Sequence, residues 1–141
     1  MANVEFFLLG RLTYEMFSAR WPQIKGDKYI DRINGLKKLV VSRTLKNVAW
    51  NASLIAGDVA AELATIKKQP GANIMKYGIS DLDRTLLAHK LVDEYRLWII
   101  PKYVGKGKHA FDDFDPALLK LELLSTHRFR NGVVALNYAP R

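Results

Sequence analysis

Apolar and polar positions change period several times along the chain, and each change marks an element. Val4–Leu9 is a short apolar, aromatic-rich run ending at Gly10, which predicts a buried strand. From Leu12 the spacing turns helical. Leu12, Met16 and Phe17 fall on one face, Tyr14, Phe17 and Trp21 on another, and Pro22 is expected to stop the helix. A second helix is expected over Asp27–Leu36, with Tyr29, Ile30 and Ile33 as its apolar side. Lys38–Ser42 carries the run Leu39-Val40-Val41, a strand closed by Ser42-Arg43-Thr44. Val48–Ile55 holds one or two short strands with Trp50 and Ile55 buried.

The clearest helix opens at Gly57-Asp58. Asp58 is a good N-cap, and Val59, Leu63 and Ile66 repeat at helical spacing. Lys67 and Lys68 suit the negative end of its dipole, and Pro70-Gly71 ends it. Asn73–Tyr77 is the next strand. Ser80 and Asp83 then have the spacing of a capping box opening a helix whose buried face is Leu82, Leu86 and Leu87. Tyr95–Ile100 reads as a strand ended by Pro101. Leu118–Leu124 and Val133–Tyr138 are late strands, with Asn131-Gly132 between them as a two-residue hairpin signal. The order βαβαβα predicts an α/β fold: a mostly parallel sheet flanked by helices, closed by an antiparallel C-terminal hairpin.

Open α/β sheets bind ligands beyond the carboxyl ends of their strands. Three places qualify: Gly10-Arg11-Leu12-Thr13, Ser42-Arg43-Thr44, and Gly78-Ile79-Ser80-Asp81-Leu82. Each offers something a phosphate needs. Gly10 and Gly78 admit close backbone approach, and the helix starts after them present N–H groups. Arg11 and Arg43 can pair bidentately with phosphate oxygens, and Thr13, Ser42 and Ser80 add hydroxyls. Taken singly, each has a plainer reading: a tight turn, a solvated charge, an N-cap. Neither the glycine-rich dinucleotide fingerprint nor the P-loop is present.

Composition narrows the chemistry. The 141 residues include 22 Lys and Arg against 14 Asp and Glu, a net charge of +8, but the charges are scattered. The densest stretch, Lys102–His109, reads as a solvated loop, so nucleic acid is not the expected partner. There is no cysteine, which removes disulfides, thiolate metal sites and cysteine nucleophiles and fits a cytoplasmic location. His89, His109 and His127 match no metal-ligand spacing, and no metal is expected. His89 falls at a helix end, where a cation is favourable. The acidic pairs Asp93-Glu94 and Asp112-Asp113 read as solvated acids rather than catalytic dyads. Trp21, Trp50 and Trp98 read as core or interface. No transmembrane run and no signal peptide is expected.

Phe7-Leu8-Leu9-Gly10-Arg11-Leu12-Thr13-Tyr14-Glu15 resembles the LLGRxTYE signature of dihydrofolate-reductase-like proteins, the family that includes the reductase domain of the bifunctional riboflavin-biosynthesis deaminase-reductase. Val40-Val41-Ser42-Arg43-Thr44-Leu45, Gly57-Asp58-Val59, Leu91-Val92-Asp93-Glu94-Tyr95-Arg96-Leu97, Pro101 with Gly105-Lys106-Gly107 and Phe111, and Gly132-Val133-Val134 with Tyr138 extend the resemblance over nearly the whole chain. It implies an NADPH-binding reductase that passes hydride to a small pteridine- or pyrimidine-like heterocycle. The cofactor-binding residues implied are Gly10, Arg11, Thr13, Ser42, Arg43, Gly78, Ser80 and Leu82. No catalytic residue is assigned. The alternatives are a non-catalytic nucleotide- or phosphate-binding relative and, last, a basic nucleic-acid-binding protein.

The sequence departs from the family pattern in two places. Ile79 stands after Gly78 where the family has Gly or Ser. The strand, loop and helix that precede LLGRxTYE in the family have no counterpart. The expectation is therefore a single, N-terminally incomplete domain. Three explanations stay open: a truncated or mis-started sequence, which is favoured; a homodimer or strand exchange that fills the gap; and a degenerate, non-catalytic relative.

Overall fold

The computed structural model describes residues 3–71, 73–112 and 114–141. The chain forms two compact units, Met1–Gly78 and Ile79–Arg141.

The first unit is a parallel sheet with crossover helices. Its elements are β1 (Val4–Gly10), α1 (Arg11–Ser18), α2 (Lys28–Gly35), β2 (Lys37–Val41), β3 (Ala52–Ile55), α3 (Val59–Lys67) and β4 (Asn73–Lys76). The strand order is β3-β2-β1-β4. β1 has a neighbour on each side, and Phe7, Leu8 and Leu9 are all buried on it. A continuous apolar run is what an internal parallel strand needs, because helices cover its faces. Leu8 stands opposite Leu39 of β2 and Lys76 of β4.

The core gathers Phe7, Leu9, Tyr14, Ile33, Leu36 and Val40. This settles which face of α1 points inward. Tyr14, Phe17 and Trp21 do, with Phe17 and Trp21 stacked at 4.1 Å between centroids. Leu12 and Met16 are exposed. The Tyr14 hydroxyl accepts from the Ala49 N–H at 2.8 Å, tying α1 to the loop before β3. α1 ends at Ser18, earlier than Pro22 requires. Pro22 instead sits in a 3-10 turn, Trp21–Gln23, where its missing N–H is harmless. Trp50 is half-buried rather than buried, and its indole N–H donates to Asn34 Oδ1 at 2.8 Å. Trp50 and Asn51 have φ of 61° and 54°, a left-handed pair unusual for residues with a Cβ. Lys38 lies almost wholly inside, and its ammonium donates to the carbonyls of Asn34 and Leu36 at 2.7 and 2.8 Å.

The second unit comprises α4 (Asp81–Ala88), β5 (Tyr95–Ile99), β6 (Leu121–Arg128) and β7 (Val134–Pro140). Its three strands form an antiparallel sheet in the order β5-β7-β6. Three expectations are corrected here. The strand at Tyr95 does not continue the parallel series; it pairs antiparallel with β7, Leu97 opposite Leu136. The hairpin at Asn131-Gly132 is not a two-residue turn. The Phe129 N–H donates to the Val133 carbonyl and the Gly132 N–H to the Phe129 carbonyl, so Arg130-Asn131-Gly132 forms a three-residue loop. Gly132, at φ +85°, takes the left-handed position that closes such a loop. The strand expected over Leu118–Leu124 runs instead over Leu121–Arg128, because the hairpin sets its pairing.

Candidate functional site

The strand order of the first unit reverses at β1. The chain leaves β1 through α1 and α2 toward β2 on one side, and returns through α3 to β4 on the other. Crevices at such reversals, at the carboxyl ends of the strands, are where open α/β sheets bind ligands. Here the reversal falls at Gly10 and Gly78. The β1–β4 pairing ends at Leu8–Lys76, and each glycine follows two residues further along its own chain segment. On the other flank Gly10 pairs with Val41, so Arg11 and Ser42 leave adjoining strands.

The start of α1 is bare. Gly10 is its N-cap in an extended conformation, no side chain caps it, and no acid lies in its first turn. The other helices of this unit differ. Asp27 caps α2, accepting from the Tyr29 and Ile30 N–H groups at 2.9 and 3.0 Å, and Asp58 caps α3, accepting from Ala61 at 3.0 Å. α1 thus keeps unsatisfied N–H groups and an uncompensated positive dipole end, the local chemistry that suits an anion. A Cβ added at Gly10 would meet nothing within 4 Å, so the approach is open. Arg11 stands on this turn, and its Nη1 donates to both carboxylate oxygens of Glu15 at 3.0 and 3.2 Å. Thr13 is half-buried in the same turn, and its hydroxyl makes no hydrogen bond among the described residues.

At the second exit Ser42 is buried. Its Oγ accepts from the N–H groups of Thr44 and Leu45 at 3.2 and 3.0 Å, which shapes the loop and leaves Arg43 exposed at its tip. At the third, Gly78 has φ +68°, which a side chain would strain, and its carbonyl accepts from Lys76 Nζ at 2.6 Å. Ser80 and Leu82 belong to the second unit, at the start of α4. The Ser80 N–H donates to the Asp83 carboxylate at 2.7 Å, and Asp81 and Asp83 both lie in the first turn. The positive end of α4 is therefore already compensated. The first unit carries Gly10, Arg11, Thr13, Ser42, Arg43 and Gly78 at or just beyond the carboxyl ends of β1, β2 and β4, and its bare helix start has the local chemistry that suits a phosphate group.

Sequence reasoning missed Tyr29 and Tyr77. Tyr77 directly precedes Gly78, packs edge-on against Phe7 and shares a hydrogen bond between hydroxyls with Tyr29 of α2. Burial, and then the Tyr29 hydroxyl, push the Tyr77 phenol far above the ordinary tyrosine range. Forty-eight positions separate the two residues, and no local pattern links them. The acidic pairs are engaged elsewhere. Glu94 pairs with Arg96 at 3.0 Å, and Asp112 with the His109 ring at 2.9 Å; Asp113 lies outside the described residues. His89 is the C-cap of α4. Among the described residues no group of three or more His, Asp or Glu is placed to hold a metal ion, and no helix is long and apolar enough to cross a membrane.

Comparison with known proteins agrees with this architecture. An uncharacterized protein of Bacillus subtilis (strain 168), YyaP, is 31% identical over 140 residues, spanning 96% of this chain and 74% of that protein. A putative riboflavin biosynthesis protein from Shewanella sp. PV-4 superimposes with a TM-score of 0.75 at 17% identity, over 99% of this chain and 76% of the other. A pyrimidine reductase-like protein from Corynebacterium diphtheriae gives 0.59 at 14% identity, over 97% and 76%. The model of the RibD C-terminal domain matches residues 1–135. The chain belongs to the RibD C-terminal domain family, a family of reductase-type domains.

Proposed function

We propose that this protein is an NADPH-dependent reductase acting on a small pteridine- or pyrimidine-like heterocycle. The observation that carries the reading is the uncapped, acid-free start of α1 at the point where strand order reverses, with Arg11 on its first turn. The reductase-type family supports it, and so does the likeness to a protein described as pyrimidine reductase-like.

The chain's own part is binding and orientation. The N–H groups of the first α1 turn, the Arg11 guanidinium and the Thr13 hydroxyl would hold the phosphates, with Arg43 as a second cation at the next strand exit. Gly10 and Gly78 keep the crevice mouth free of side chains. Bound there, NADPH would supply a hydride for an electron-poor C=N or C=O carbon of the substrate. Tyr77, packed on Phe7 and bonded to Tyr29, forms one wall beside Gly78 and stays protonated through the physiological range.

The test is NADPH oxidation by the protein across dihydropteridines and aminopyrimidine precursors of flavins, with NADPH titrated alone in parallel. Turnover with one of these supports the reading. Tight NADPH binding with no turnover would favour the non-catalytic, nucleotide-binding alternative.

A further inference from the structure

Reduction of a C=N or C=O bond takes one proton for every hydride, and the first unit is poor in groups placed to give one. All three histidines, His89, His109 and His127, come after Gly78. Three carboxylates are occupied: Asp27 and Asp58 accept from helix N–H groups, and Glu15 accepts from Arg11. Glu5, Asp31 and Glu62 are exposed. Lys76 donates to the Gly78 carbonyl, and Lys38 to the carbonyls of Asn34 and Leu36 just before β2.

The tyrosines remain. Tyr14 bonds through its hydroxyl to the Ala49 backbone, away from the crevice mouth. Tyr77 is placed differently. It follows β4 directly and precedes Gly78, at the carboxyl end where ligands bind open α/β sheets. Its ring packs edge-on against the fully buried Phe7, with 5.0 Å between centroids, so the core sets where its hydroxyl lies. That hydroxyl shares a hydrogen bond with the hydroxyl of Tyr29, in the first turn of α2. Tyr77 is half-buried and Tyr29 is 48% exposed, so the pair of hydroxyls leads from the packed interior to solvent. Burial, and then the Tyr29 hydroxyl, keep the Tyr77 phenol in its protonated, donating form.

We propose that Tyr77 is the proton donor of the reaction and that Tyr29 connects it to solvent. The inference rests on the reductase reading given above and adds the residue that completes the reduction. The nitrogen of a C=N bond, whose carbon has received the hydride from NADPH, takes the Tyr77 hydroxyl proton. The Tyr77 oxygen recovers a proton from the Tyr29 hydroxyl, and Tyr29 recovers one from water. One hydride and one proton have then been added across the double bond, and both tyrosines are restored.

Single turnovers of NADPH with the dihydropteridine or aminopyrimidine that the parent reduces test this, beside calorimetric titration of NADPH alone. Tyr77→Phe keeps the ring on Phe7 and removes the proton. It should melt as a folded protein and bind NADPH as the parent does, while kcat falls about a hundredfold or more, the range for a lost general acid. The substrate KM should change little. Heavy water should slow the parent's single turnover. Tyr29→Phe alters a half-exposed ring and leaves the fold intact; it should show a smaller loss of kcat at unchanged NADPH affinity. Parental kcat in Tyr77→Phe would overturn the proposal and leave the reductase reading standing. Parental kcat in Tyr29→Phe would overturn the link to solvent. A parent that binds NADPH but turns over neither class of heterocycle would overturn both readings.

Discussion

Arg11 is held by Glu15 through one guanidinium nitrogen, with Nη1 donating to both carboxylate oxygens at 3.0 and 3.2 Å. Among the described residues its Nε and Nη2 have no partner, so most of the guanidinium's donors stay available to a phosphate. The pair is surface-exposed and contributes about 0–1 kcal/mol to folding.

Arg11→Ala should therefore weaken NADPH binding by about 1.5–3 kcal/mol, the range for a hydrogen bond to a charged group. Its melting temperature should stay close to that of the parent. Glu15→Gln should bind NADPH more tightly than the parent, because no carboxylate then competes with the phosphate for the Arg11 donors. Calorimetry on the three proteins checks both.

Lys38 gives a pH signature. Burial lowers its ammonium from 10.5 to about 8. Between these values the unfolded chain holds a proton that the native chain has shed, so this group makes stability rise as pH rises through the window. The Tyr77 and Tyr95 phenols, raised in the fold, act in the opposite sense above the ordinary tyrosine value of 10. The comparison that isolates Lys38 is urea denaturation of the parent and Lys38→Met across that range. The parent should gain stability relative to the variant as pH rises.

Tyr95 is buried, its hydroxyl has no hydrogen-bond partner among the described residues, and burial followed by the Asp83 charge pushes that phenol up to about 12. An unmatched buried hydroxyl is a desolvation loss. Tyr95→Phe keeps the edge-on contact with Phe111 at 5.6 Å and removes the loss. The variant should equal the parent in stability or exceed it by about 1 kcal/mol, as measured by urea denaturation at neutral pH.

The sequence was legible where local physics decides. The β1 apolar run, the Asp58 cap and the Ser80–Asp83 spacing all became the elements they predict, because each depends on neighbours within a few residues. The strand exits carrying Gly10, Arg11 and Ser42 followed from the same reading. Long-range partners were hidden. Nothing local says that Tyr29 meets Tyr77, that Lys38 folds inward, or that β5 leaves the parallel series for β7. The choice between the two apolar faces of α1 was likewise settled by what Tyr14 and Trp21 pack against, which periodicity alone does not contain.

The central claim is that the bare start of α1 binds the anionic part of the cofactor, and Gly10→Asp tests it most directly. Gly10 has φ −76° and free space at the Cβ position, so the substitution is sterically accepted and supplies the cap α1 lacks. Calorimetric titration with NADPH, beside thermal melts, should show a protein at least as stable as the parent whose affinity has fallen by tenfold or more, about 1.4 kcal/mol. Unchanged affinity in the folded variant would contradict the account.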